Sequence, residues 1–117
     1  MMNNELKIRL ENLKGKSELK DAVINITLDN IDNYDNGEIY FFEVLNYGCQ
    51  SGIVNELTYY YQTEKFFNAY ADEIFGLYNE LVSECGQIDM ELNKNNLAWL
   101  AFEETLRNIT YDLDIEI

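Results

Sequence analysis

Apolar and polar residues alternate at both ends of the chain and fall at helical spacing between them. Leu6, Ile8 and Leu10 alternate with Lys7, Arg9 and Glu11, a period of two that predicts a half-buried strand. Tyr111, Leu113, Ile115 and Ile117 alternate with Asp112, Asp114 and Glu116 in the same way. One of these edges is basic and the other acidic. Paired in one small sheet, they would set opposite charges against each other, each pair contributing roughly 0.2–1 kcal/mol. Residues 22–28 (Ala-Val-Ile-Asn-Ile-Thr-Leu) are β-branched enough to join that sheet. Leu19, Val23 and Ile26 equally fit a helix opening at Ser17, so residues 17–31 read both ways.

The middle of the chain predicts helices. Ile39 to Tyr47 forms a short one ending at Gly48, a residue suited to a left-handed cap. Ile53, Val54, Leu57 and Tyr61 follow at helical spacing after Ser51. Thr63 is the expected N-cap of a long helix whose apolar stripe is Phe67, Tyr70, Ile74, Tyr78, Leu81 and Cys85, with Gly86 as its stop. A last helix starts near Asn95 or Asn96 and carries Trp99, Phe102, Leu106 and Ile109 on one face. The expected fold is α+β and mainly helical: a small antiparallel sheet of the two terminal segments packed on three to four helices. An all-α bundle is the alternative. No repeat and no linker rich in Gly and Ser divides residues 1–117, so a single domain is expected.

Charge sharpens this picture. Twenty-two acids face eight Lys and Arg, a net charge of −14. Residues 1–20 hold five basic residues and three acids, whereas Lys65, Lys94 and Arg107 stand against nineteen acids in the remainder. Between Asp21 and Glu64 there is no Lys or Arg. Such an excess repels itself in a compact state, which points to solubility or to a basic partner as the compensation. It would also repel nucleic acid and anionic membranes. A hydrophobic content of 47%, with nine Tyr and six Phe, belongs to a packed core and not to a disordered acidic tail. No apolar run approaches the roughly 20 residues needed to span a bilayer. Lys7, Arg9 and Glu11 interrupt any secretory signal, so a cytoplasmic setting with Cys49 and Cys85 reduced is expected.

The chain contains no histidine. That removes Ser–His–Asp and Cys–His catalysis and His-ligated zinc. Cys49 lacks its usual base, and Gly48-Cys49-Gln50-Ser51-Gly52 reads as a tight turn opening a helix. Two cysteines cannot make a four-thiolate zinc site. Adjacent carboxylates, Asp72-Glu73 and Glu103-Glu104, point roughly 100° apart on a helix and make no catalytic pair. No catalytic residue, cofactor or metal is therefore expected. The nearest approach to a metal site is Asp32 to Glu43, read as a calcium loop of the EF-hand type. It has Asp32, Asn36, Gly37, Ile39 and Glu43 in register, but Tyr34 stands where an oxygen ligand is needed. The plainer reading of Asp35-Asn36-Gly37 is a turn leading into a helix.

Two blocks carry a resemblance. The first is Gly48-Cys49-Gln50-Ser51-Gly52 with Leu57, Tyr59-Tyr60, Thr63, Phe66, Tyr70 and Glu73-Ile74. The second is Asn96-Leu97-Ala98-Trp99 with Ala101-Phe102-Glu103-Glu104. In these blocks, a little over half the chain, the sequence resembles an uncharacterised family of small acidic proteins encoded by bacteriophages, prophages and plasmids. Residues 1–45 fall outside the resemblance. It implies a mobile-element origin and a bacterial cytoplasm, and it assigns no catalytic residue.

Charge and resemblance together predict an interaction protein, and not an enzyme. Its expected role is anti-CRISPR-like or anti-restriction: a DNA mimic whose carboxylates take the place of phosphates on the basic surface of a Cas effector or other defence nuclease. The candidate partner-binding residues are Asp29, Asp32, Asp35, Glu38, Glu43, Asp72, Glu73, Glu80 and Glu84. Glu73, Glu80 and Glu84 span about 40° of helical arc and roughly 16 Å of axis. The competing expectation is a structural or adaptor module, a homodimer joined through the tyrosines at 59–61.

Overall fold

Among the described residues there are six helices and one 3-10 turn, and no strand. The computed structural model describes residues 2–47 and 60–116, with side chains from 63 onward in the second stretch. Helix α1 is Asn3–Asn12 and α2 is Glu18–Asn30, running into a 3-10 turn at Ile31–Asn33. Helix α3 is Glu38–Tyr47, α4 Tyr60–Ala69, α5 Ala71–Cys85 and α6 Lys94–Asp112. The architecture is all-α, which corrects the expected sheet at both ends.

At the N-terminus the alternation is resolved by a helix. Leu6 and Leu10, four residues apart, are fully buried, while Ile8 is 63% exposed. Spacing of i and i+4 puts one face inward, and Leu, Lys, Arg and Glu all favour helix over strand. Three apolar residues are too few to separate the two periods. At the C-terminus, α6 simply continues to Asp112 and then closes. The Ile115 N–H donates to the Thr110 carbonyl at 2.9 Å and the Asp114 N–H to the Tyr111 carbonyl at 3.1 Å. These two bonds form a Schellman motif, with Asp114 left-handed at φ 57 where glycine is usual. Leu113 and Ile115 turn inward and Asp114 and Glu116 outward, so the alternating pattern comes from a helix cap.

Residues 18–30 are helical because two helix signals outweigh the β-branched run. The Ser17 hydroxyl accepts the Lys20 N–H at 3.1 Å as an N-cap, and Leu19, Val23, Ile26 and Asn30 keep one buried face. The polar groups on that face are satisfied within the helix: Thr27 Oγ1 donates to the Val23 carbonyl at 2.8 Å and Asn30 Nδ2 to the Ile26 carbonyl at 2.7 Å.

The expected long helix from Thr63 to Cys85 is broken at Tyr70. Thr63 lies inside α4 rather than at its start, buried and donating through Oγ1 to Asn95 Oδ1 at 2.6 Å. A straight helix over residues 60–85 would run about 39 Å at 1.5 Å per residue. The break lets both halves pack against α6 and lets Phe75 turn back edge-on to Phe67, ring centroids 5.4 Å apart. Gly86, at φ 80, ends α5 as expected. Asn93 caps α6 by accepting the Asn96 N–H at 2.8 Å.

Helix α6 is the axis of the fold. Helices α2, α3, α4 and α5 all pack on it, and Leu97, Ala98, Ala101, Phe102, Leu106 and Ile109 are its buried side. The first helix is fastened by Asn3, whose Oδ1 accepts the Gly37 N–H at 2.7 Å and whose Nδ2 donates to the Tyr34 carbonyl at 3.0 Å. Gly37 is required there: a Cβ would sit 2.9 Å from that Oδ1 and 3.2 Å from Ile31 Cβ. The turn Gly48–Gly52 and the spacing of Ile53, Val54 and Leu57 lie outside the described residues.

Candidate functional site

The nine candidate acids fall in two groups on different elements. Asp29 is exposed at the end of α2, and Asp35 is exposed in the bend before α3. Asp32, on the 3-10 turn, forms an ion pair with Lys7 of α1. Glu38 and Glu43 are half-buried in α3. The charge of Glu43 adds to burial, the larger cause, in raising the pKa of the Tyr34 phenol. On α5, Asp72, Glu80 and Glu84 are exposed. Among the described residues Asp29, Asp35, Asp72, Glu80 and Glu84 make no ion pair.

Glu73 is used differently. Its Oε1 accepts the Ser17 hydroxyl at 2.6 Å and its Oε2 accepts the Leu19 N–H at 2.8 Å. A carboxylate from α5 thus completes the cap of α2, meeting an amide donor that Ser17 leaves unsatisfied and favoured by the helix dipole. Clefts of 580 and 470 Å³ open on either side of this junction, the first beside Tyr70 and Asp72, the second beside Leu77 and Glu80. With its oxygens held by α2, Glu73 is an architectural group, and the acid stripe of α5 available to a partner is Glu80 and Glu84.

Most of the basic residues are engaged within the chain, while Lys16 and Lys65 are exposed. Lys20 meets Asp112 at 2.7 Å, Lys14 meets Glu11 at 3.1 Å, Lys94 meets Glu64 at 3.6 Å, and Arg107 meets Glu104 at 3.8 Å. Arg9 donates to the Leu113 carbonyl at 3.0 Å. The basic N-terminal region therefore does meet the acidic C-terminus, but through Lys20 and Arg9 on helices rather than across a sheet. Beside Arg107, the pKa of Glu103 is raised by burial above all, with Arg107 opposing and Glu104 adding.

Asp32 to Glu43 does not fold as a calcium loop. Residues from Glu38 onward are already helical, Asp32 is paired with Lys7, and the Gly37 amide is held by Asn3. Asn36 Oδ1 accepts the Glu38 N–H at 3.1 Å, so Asp35-Asn36-Gly37 is a turn into α3. Among the described residues no group of three or more Cys, Asp or Glu could hold a metal ion. Also among them, no helix is long and apolar enough to cross a membrane. Cys85 is exposed and free, while Cys49 and the tyrosines at 59–61 fall outside the described side chains.

One feature was not anticipated from the sequence: an apolar groove of 460 Å³ where α4, α5 and the start of α6 meet. Its floor is Phe67 and Leu97, its walls Phe75, Tyr78 and Leu92. Phe75, outside the stripe of Ile74 and Tyr78 and 47% exposed, was the available signal. The sequence profile of the domain of unknown function DUF7222 matches residues 5–115. The chain belongs to this family. The DUF7222 match takes in the N-terminal residues that the resemblance to acidic mobile-element proteins left out, and it includes all six helices but for the first two residues of α1. No curated protein and no solved structure matches the chain.

Proposed function

We propose that the protein is an acidic interaction protein, of mobile-element origin, that binds the basic nucleic-acid-binding surface of a host defence nuclease such as a Cas effector and inhibits it in the bacterial cytoplasm. One observation carries this reading. Lys7, Lys14, Lys20, Lys94 and Arg107 are each engaged by a carboxylate of the same chain, which leaves Asp29, Asp35, Asp72, Glu80 and Glu84 exposed without a cation. Carboxylates held on helices present fixed negative charge to Lys and Arg much as a phosphate backbone does. The lack of histidine and the holding of Glu73 by α2 support a binding role over acid–base chemistry for these acids.

The test is association with a Cas effector or restriction nuclease, measured with its nucleic-acid channel empty and then preloaded. Preloading should abolish binding, and raising salt from about 0.05 to 0.5 M should weaken it at least tenfold, because the screening length then falls to about 4 Å. Replacing Glu80 and Glu84 with Lys should weaken binding further. Affinity that ignores both salt and preloading would overturn the reading.

A further inference from the structure

The apolar groove adds to the acid surface a site of a different kind. Phe67 and Leu97 close its floor, with Phe75 edge-on to Phe67 at 5.4 Å. Phe75 is 47% exposed and Leu92 60% exposed on its two sides. Exposed side chains of that size, facing each other across an apolar floor, mark a surface that favours a partner over water. Among the described residues the cation lining the groove is Lys94, 5.9 Å from the Phe67 ring centre and paired with Glu64 at 3.6 Å. Around it the charge is acidic. Asp72 lies one turn before Phe75 on α5, and Asp89 and Glu91 sit on the segment that carries Leu92, all exposed.

Two features select the occupant. The groove lies between helices and is lined by apolar anchors, the geometry into which an amphipathic helix lays its apolar face. A second copy of the chain would bring a further charge of −14 to an already acidic rim. We propose that the groove is the docking site of a basic amphipathic helix of a partner protein. Its apolar face enters between Phe75 and Leu92, and its flanking Lys or Arg residues meet Asp72, Asp89 and Glu91. This rests on the reading above, that the partner is basic, and it names the part of the partner that is held.

The probe is a fluorescent peptide of about 18 residues, five helical turns, with Leu at i, i+3, i+4 and i+7 spacing and Lys elsewhere. The control is a peptide of the same composition with the Leu positions scrambled. The amphipathic peptide should bind about tenfold tighter than the scrambled one. Phe75→Ala and Leu92→Ala should each erase that preference, while circular dichroism shows both variants folded. Equal binding of the two peptides, with strong salt dependence, overturns the groove and leaves the acid surface standing. Failure of both peptides to bind even at low salt overturns both. A dimer in sedimentation velocity that Phe75→Ala dissolves also overturns the proposal, because the occupant is then a second copy.

Discussion

Asp114 occupies a left-handed position that most side chains avoid. With φ at 57 it closes the Schellman motif of α6, and it places a carboxylate at the negative end of the helix dipole. Glycine at this site removes both penalties, so Asp114→Gly should stabilise the protein by about 1 kcal/mol in chemical denaturation. An unchanged or lower midpoint would show that Asp114 has a compensating contact. Glu103 carries a pH signature instead. Its folded pKa is raised, so its ionisation opposes folding increasingly as the pH climbs from the unfolded value, and in full above the folded one. Below the unfolded value of about 4.3 the carboxyl is neutral in both states and no penalty exists. Glu103→Gln should therefore raise the melting temperature at about pH 7 and leave it unchanged near pH 3. A gain of equal size at both pH values would assign the effect to packing.

Helices become legible or illegible in the sequence according to how much of their face is apolar. In α3 and α6 the apolar spacing runs long enough to identify helix, and the stop at Gly86 follows from its freedom of φ. The two ends failed for a local reason. Leu6 and Leu10 fit periods of two and of 3.6 alike, and only the exposure of Ile8 between them tells the periods apart. The break at Tyr70 has no Pro or Gly to announce it; tertiary packing of Phe66, Phe67 and Phe75 imposes it. Glu73 was legible as an acid on the α5 stripe but not as the cap of a distant helix, because nothing in its neighbours points to Ser17. That role is testable. Glu73→Ala should cost about 1–2 kcal/mol by removing an acceptor from the Leu19 amide. The loss should overlap with that of Ser17→Ala, giving a coupling above about 0.5 kcal/mol in a double-mutant cycle. Strict additivity would mean the two act apart.

At the scale of the whole molecule, −14 of net charge sits on a chain whose ion pairs, among the described residues, are few and partly exposed. Exposed pairs contribute about 0–1 kcal/mol each, so general repulsion outweighs them. Added sodium chloride should raise the melting temperature by several degrees, since about 1 kcal/mol moves it by roughly 4 °C in a domain of this size. A melting temperature that falls with salt would mean that pairs such as Lys20–Asp112 dominate. The helix at the centre of this assembly has a temporal consequence as well. Because α2, α3, α4 and α5 all lean on α6, their apolar faces lack their shared packing surface while a ribosome is still making residues 94–112. At about 5–20 residues per second, the nascent chain carries those faces open for several seconds, and the acids along it are then what keeps neighbouring chains apart.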